Sequence, residues 1–392
     1  MARPLHLYVH VPFCERKCPY CHFYNLGHDD GREALYLDGI ARETGRLREG
    51  GAFEGARLAT LYWGGGTPSL LSDAGFERLA DLVLGAAPAG ESLEWTMEVN
   101  PADATAERFA RYRDRGVSRV SVGVQSFDDR RLAHLGRNHD AVAARAAVGR
   151  ACAAGFDDVS LDLIFNVALP ADPAERRRAW ARDLAEAFAL PVTHVSLYGL
   201  TIEPGTSFHA RTLGGERFTV SDPAYAAEYR AACRAARRAG FEHYEVSSFA
   251  RVVEGRDRRA RHNAATWSGT PYLGLGPAAH SFDGVRRWAN VSSLMGWAEA
   301  LATGGDPRAF TEMLSPDQRR LETLYLGLRT REGAPADHHL LAASPFLVNA
   351  LVAQGLLAER GGRIACTESG FSVLDAILER IAREAPAPRL AC

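Results

Sequence analysis

Residues 14 to 21 read Cys14-Glu15-Arg16-Lys17-Cys18-Pro19-Tyr20-Cys21, which puts three of the chain's seven cysteines in eight residues. C-x3-C-x2-C spacing on one loop brings three sulfurs to a common centre without help from distant parts of the chain. Three thiolates are one short of the closed tetrahedral set that structural zinc sites use. Three chemistries are open to such a loop. Zinc would draw a fourth ligand from His10 or His22. Unligated core thiols would need a buried loop, yet Glu15, Arg16 and Lys17 read as solvent-facing. A [4Fe-4S] cluster would use the cysteines for three irons and leave the fourth iron open to a small molecule's amino and carboxylate groups.

Other residues with chemistry to offer follow short apolar runs. Gly64, Gly65 and Gly66 let backbone approach a ligand closely, and Thr67 adds a hydroxyl. A tight turn would use the same glycines. Glu98 ends an apolar run, where its carboxylate could meet a ligand's hydroxyls or cap a neighbouring helix. Gln125, Arg137 and Asp162 are polar at or beyond comparable run ends.

The elements that must carry these residues repeat a pattern of apolar strand, loop and amphipathic helix. Strands are predicted at Leu5–Val11, Ala59–Trp63, Leu93–Val99, Arg119–Val124, Asp158–Phe165 and His194–Leu200, each rich enough in aliphatic residues to be buried on both faces. Helices are predicted at Glu33–Glu49, Asp73–Leu84, Thr105–Arg115, Ala141–Ala154, Pro173–Ala189 and Pro223–Ala239, several opening on Ser or Asp and closing on Gly. Six such units predict an α/β fold with a parallel sheet and right-handed crossovers, an open, partial (βα)6 TIM-like barrel. A doubly wound sheet is the alternative. The reactive residues then share the C-terminal ends of the strands, where such folds keep their active sites.

The rhythm breaks after Gly240. The domain reading is a barrel over 1–240, an irregular extension over 241–310 and a C-terminal winged-helix-like α/β domain over 311–392. In the last of these, Gly361-Gly362 marks a hairpin and the tail reads as frayed. Composition is that of a globular protein, with 46% hydrophobic residues, and a formal net charge of −2 gives no general attraction to nucleic acid. No apolar run reaches the ~18 residues that span a bilayer, and the N-terminus lacks a signal-peptide pattern. An odd cysteine count in a chain this long argues against a disulfide framework, so the expected location is a reducing cytoplasm.

Taken together, these motifs resemble the radical S-adenosylmethionine (SAM) superfamily. Within it they resemble the branch holding oxygen-independent coproporphyrinogen III dehydrogenases and HemW-type heme chaperones. The resemblance rests on LYVHVPFC, CPYC, LYWGGGTPS, EVNP, SVGVQSF, HVSLYGLTIEPGT, YEVSSFA, RHN…W, GLGPAAHS and RRWAN, and covers most of the chain. It implies that Cys14, Cys18 and Cys21 hold a [4Fe-4S] cluster that passes an electron to SAM and cleaves its S–C5′ bond, giving a 5′-deoxyadenosyl radical. Gly65, Gly66 and Thr67 would contact the methionyl part of SAM, with Tyr8, Glu98, Gln125 and Asp162 as further contacts. Arg137 would pair with the SAM carboxylate.

The same resemblance separates dehydrogenase from chaperone. The dehydrogenases carry a fourth cysteine two residues after the third, where this chain has Phe23, as HemW-type proteins do. Those proteins also carry H-N-x-x-Y-W, associated with heme; here His262, Asn263 and Trp267 are present, with Thr266 replacing Tyr. His262 would be a heme axial ligand, with His280 next in line, and Trp267 would lie against the porphyrin. The arginines of Arg256–His262 would neutralise propionates or form a solvated loop. Two departures stand out: His22 where an acidic residue is usual, and Asn166 near a position where the family has glycine. The implied function is a heme chaperone using SAM, heme, a heme-acceptor protein and an electron donor such as flavodoxin or ferredoxin. The alternative is an enzyme of the same branch, a dehydrogenase or a methyltransferase acting on an aromatic or porphyrin substrate.

Overall fold

Six strands pair in chain order, all parallel: β1 (Arg3–Val11), β2 (Ala56–Gly65), β3 (Ala89–Val99), β4 (Arg119–Gln125), β5 (Asp158–Phe165) and β6 (His194–Gly199). They belong to a computed structural model that describes residues 2–384; the tail expected to fray lies outside the described residues. Between the strands run helices Asp30–Glu49, Asp73–Ala86, Ala106–Asp114, Ala141–Ala153 and Pro173–Ala189, and Asp222–Arg238 follows β6. Their starts are fixed by side-chain caps: Ser72 accepts from the Gly75 amide, Thr105 from Arg108, and Asp172 from Glu175.

The two faces of these strands are unlike. Leu5, Leu7, Val9, Leu61, Trp63, Trp95, Met97, Val120 and Val122 pack under the helices, with the Trp63 and Trp95 rings 5.0 Å apart. The alternate positions point to the barrel interior and are polar: His6, Tyr8 and His10 on β1, Thr60 and Tyr62 on β2, Glu94 and Glu98 on β3, Asp162 on β5. They are satisfied by one another, as when Ser121 donates to Asp162 at 3.2 Å or Ser160 pairs with His194 at 2.8 Å.

The sheet continues past residue 240 at both edges. The hairpin β7 (Phe241–Glu245) and β8 (Ser248–Arg251) extends it antiparallel to β6. On the other side β9 (Tyr272–Leu275) lies parallel to β1, followed outward by antiparallel β10 (His280–Phe282), β11 (Arg286–Asn290) and β12 (Arg308–Met313). The twelve-stranded sheet ends at β12 and β7, so the barrel stays open. The segment read as irregular thus holds six strands of the main sheet. They escape local periodicity because they are three to six residues long and β9 finds its partner at the far end of the chain.

One part of this segment closes the N-terminal mouth of the barrel. The helix Arg261–Trp267 is capped by Glu94, which accepts from the amides of Arg261 (3.0 Å) and His262 (2.9 Å). Beyond it, helix Pro316–Arg329 leads into β13 (Ala334–Pro335), and after helices His339–Ala343 and Pro345–Ala353 the strands β14 (Leu357–Arg360) and β15 (Arg363–Cys366) complete a small antiparallel sheet. The β14–β15 turn is Gly361-Gly362, with φ of 55° and 73°, the left-handed pair that a two-residue hairpin needs.

Candidate cluster and cofactor site

The loop after β1 is pinned at its base. Cys14 donates its amide to Leu26 O (2.9 Å) and Leu26 to Pro12 O (2.8 Å), so residues 14–25 form a closed excursion at the C-terminal end of the sheet. Cys14, Cys18 and Cys21 are free thiols on its inner side and line a cavity of about 450 Å3. Each sulfur has a polar neighbour: Cys14 Sγ lies 3.5 Å from Thr67 Oγ1, Arg137 Nη1 donates to Cys18 Sγ at 3.4 Å, and Asn25 Nδ2 donates to Cys21 Sγ at 3.7 Å. Burial pushes the Cys14 thiol up to about 11.

These residues fit a cluster better than a zinc ion. Among the described residues the three sulfurs do not form a set lying within 4.8 Å of one another, as the ligands of a single ion would. Of the two expected fourth zinc ligands, His10 is committed elsewhere, while His22 shares the cavity wall with the cysteines. His10 is buried with Nε2 on Tyr24 O (3.0 Å) and Nδ1 on the Tyr8 hydroxyl (3.1 Å). His22 is exposed and stacks on Phe23, ring centres 4.5 Å apart.

The rest of the cavity wall comes from the ends of β2 to β6. Gly65, Gly66, Thr67, Glu98, Gln125, Arg137 and Asp162 all line it, so the structure brings together seven of the residues singled out in the sequence. Glu98 accepts from the Tyr62 hydroxyl (2.7 Å) and the Gly65 amide (3.3 Å), and burial raises its carboxyl to about 7. Asp162 is raised to about 6 by burial, against hydrogen bonds from Ser196 and Ser121. Arg137 donates Nη2 to Gly123 O (3.1 Å), while its Nε is buried without a partner, an unmet donor beside the cysteines. Gln125 adopts φ 67°, a left-handed backbone that side chains avoid, at a register break between β4 and β5. Strain of this kind concentrates where a side chain must be aimed, and Gln125 is aimed at the cavity.

Some expected residues sit differently. The glycines line the cavity and also make room for neighbouring parts of the chain. A Cβ on Gly66 would stand 2.6 Å from Phe13 O and 2.7 Å from Val11 O, and one on Gly65 2.4 Å from the His10 ring. Tyr8 is not part of the cavity wall; its hydroxyl is bonded to His10. Asn166 takes φ 66°, so it supplies the left-handed turn that glycine otherwise provides. Its side chain ties Leu200 O (2.8 Å) to the Val220 amide (3.1 Å). Residues missed in the sequence include Tyr62, which holds Glu98, and Tyr20 and Tyr198 in the wall. The alternation Thr60-Tyr62 was the available signal for an inward polar face.

His262 and Trp267 lie away from this cavity, at the closed mouth. His262 is buried, its Nδ1 2.8 Å from Thr60 Oγ1, and burial lowers its imidazole to about 3. Trp267 borders a second cavity of about 660 Å3 between its helix and Pro316–Arg329, with the Arg329 guanidinium 4.2 Å above its ring and its Nε1 unpartnered. The nearby arginines are largely engaged: Arg256 with Asp157, Arg258 with Asp158, Arg259 with Asp257 and Glu332. His280 is exposed on β10.

Among the described residues no helix is long and apolar enough to cross a membrane. A family model of the radical SAM superfamily matches residues 8–184, and one of the HemN C-terminal domain matches 314–373. The heme chaperone HemW of Mycobacterium tuberculosis (strain H37Rv) is 35% identical over 387 residues, covering 97% of this chain and 95% of that protein. HemW of Bacillus subtilis (strain 168) is 30% identical over 328 residues, 83% of each. The solved structure of coproporphyrinogen III oxidase (HemN) from Escherichia coli superposes with a TM-score of 0.80 over 97% of this chain and 90% of that one, at 23% identity, which shows a common fold. The partial barrel, the cysteine loop and full-length similarity lead to one assignment: the chain belongs to the radical SAM superfamily, in its HemN-like branch and close to the HemW heme chaperones.

Proposed function

We propose that the chain is a heme chaperone: it binds a [4Fe-4S] cluster through Cys14, Cys18 and Cys21, holds SAM in the adjoining cavity, and passes heme to an acceptor protein. The observation that carries the choice of chaperone over dehydrogenase is Phe23. It stands 53% exposed at the cavity rim, where the dehydrogenases of this branch have a fourth cysteine. When bound, the cluster would supply one electron, received from a donor such as flavodoxin or ferredoxin, for reductive cleavage of SAM.

The chain's own residues have distinct tasks in this reading. Arg137 offers a guanidinium fork to the SAM carboxylate, and Glu98 and Asp162 accept from its hydroxyls or amino group. Gln125 is pre-aimed by its strained backbone. Thr67, Arg137 and Asn25 bond the cysteine sulfurs and so would tune a cluster held there. Heme is held against Trp267 in the cavity facing the C-terminal domain, with Arg319 at its edge for a propionate. Ligation by His262 requires its helix to leave Glu94.

A second reading, an enzyme of the same branch acting on a flat aromatic substrate, draws on the His22–Phe23 stack at the rim, a ready platform for such a ring. One set of measurements separates the readings. Anaerobically reconstituted chain is titrated with hemin, as wild type, His262→Ala and Trp267→Ala. It is then incubated with SAM and dithionite, with and without hemin, scoring 5′-deoxyadenosine and any altered porphyrin. Stoichiometric hemin binding weakened by Trp267→Ala, with no porphyrin product, supports the chaperone. Turnover of coproporphyrinogen or a methylated product would overturn it, and one zinc without sulfide would sink both readings.

A further inference from the structure

Away from both cavities, Cys233, His243 and Glu368 converge. One ligand atom from each lies within 4.8 Å of the other two, the one such set of His, Cys, Asp or Glu side chains among the described residues. They come from three elements: Cys233 from helix Asp222–Arg238, His243 from β7, and Glu368 from the first turn of Glu368–Phe371 in the C-terminal domain. Cys233 and His243 are buried; the Glu368 side chain is one-third exposed.

The imidazole is oriented for ligation. Tyr229 donates its hydroxyl to Val246 O at 2.7 Å, so its single proton is committed. Its oxygen, 3.2 Å from His243 Nε2, can then only accept, which puts the ring proton on Nε2. His243 Nδ1 therefore presents a lone pair, and it faces Cys233 Sγ at 3.9 Å, a long and weak contact for a thiol donor. A hydroxyl or carbonyl on the distal nitrogen is the usual support of a metal-bound histidine. Stacking on Phe249 (4.3 Å) and an edge contact from Phe371 (5.0 Å) fix the ring plane.

We infer that Cys233, His243 and Glu368 form an open, three-ligand transition-metal site, matched to Zn2+, where the C-terminal domain meets the barrel. Thiolate, imidazole and carboxylate are the donor types zinc takes, and three protein ligands leave a fourth position for water on the exposed Glu368 side. Binding releases the Cys233 proton to solvent, and thiolate plus carboxylate neutralise the dication. Arg237, paired with Glu368, holds the carboxylate in place without occupying both oxygens. The site differs from the Cys14–Cys18–Cys21 loop in every residue, so it stands or falls independently of the heme reading.

The test is zinc per chain in cluster-loaded, full-length protein after dialysis against a weak chelator. The expected result is about one zinc, lost in Cys233→Ser, with Glu368→Ala weakening zinc by more than ~10-fold in chelator competition. The surface variant keeps the test alive if Cys233→Ser does not fold. In a C14S/C18S/C21S chain, added Co2+ should give a thiolate-to-cobalt charge-transfer band and strong tetrahedral visible bands, both absent from the same chain with Cys233→Ser added. No zinc in the wild type, or uptake and cobalt bands indifferent to Cys233 and Glu368, would overturn the site.

Discussion

The Tyr62 hydroxyl donates to Glu98 Oε1 at 2.7 Å across neighbouring strands and holds that carboxyl at the cavity wall. Burial raises the Glu98 carboxyl from 4.5 to about 7, with Asp162 adding repulsion. For an acid raised on folding, its stability contribution is full below the unfolded value and is lost as pH rises through about 7. Glu98→Gln keeps a partner for Tyr62 and removes that titration. In SAM-free protein the variant should match wild type at pH 5 and melt higher by roughly 2–4 °C at pH 8. Thermal melts at the two pH values check this; an equal offset at both would show that the carboxyl is not the cause.

Arg137 bridges the cysteine loop and β4, with Nη1 on Cys18 Sγ and Nη2 on Gly123 O. Its buried, unpartnered Nε marks it for a further acceptor. Arg137→Met preserves the packing stem and removes the fork. SAM affinity should fall about 10- to 100-fold, the range of a lost charge-assisted hydrogen bond, while iron content holds. Equilibrium dialysis with labelled SAM and iron assay on the same sample decide it; unchanged affinity would rule Arg137 out as the carboxylate partner.

These residues show where the sequence was readable. The first six strands and their helices match the aliphatic runs closely, Asp158–Phe165 and Pro173–Ala189 to the residue. Their covered face is set by local pattern. The polar inner face was present as alternation in His6-Tyr8-His10 and Thr60-Tyr62 but was masked by the apolar residues between. β9 could not be read at all: four residues, Tyr272–Leu275, become a strand because β1 offers an edge. Asn166 was read as a departure, yet its left-handed φ makes it a substitute. Gly65 and Gly66, read as ligand contacts, do line the cavity, and a sequence does not show that Val11, Phe13 and His10 also fill the space where a Cβ would stand.

That crowding gives two glycines opposite roles. In Gly66→Ala the new methyl meets backbone oxygens of Val11 and Phe13, which cannot rotate aside as a side chain could. A loss of about 2–4 kcal/mol is expected, together with a cysteine loop that holds iron poorly. Gly149, in the exposed face of helix Ala141–Ala153, has open space at its Cβ, so Gly149→Ala should stabilise by about 0.5–1 kcal/mol. Urea unfolding of the two variants, with iron retention on the first, checks both signs.

In the proposed heme chaperone, the burial of His262 works against ligation. Its ring bonds Thr60, which also bonds His6 at 2.9 Å, and Glu94 fastens its backbone. With the imidazole lowered from 6.5 to about 3 by burial, the neutral ring's contribution is full above pH 6.5 and is lost as pH falls toward 3. The slope is up to about 1.4 kcal/mol per pH unit. In His262→Gln, stability between pH 6 and 4 should therefore fall less steeply than in wild type, by about 1 kcal/mol per unit. The same lock limits ligation, because a binding-competent state that must first be opened weakens apparent affinity by its population. Glu94→Ala removes the cap, so hemin should bind several-fold more tightly, and His262→Ala in that background should abolish the gain. If Glu94→Ala leaves hemin binding unchanged, heme is held at the Trp267 cavity without the histidine.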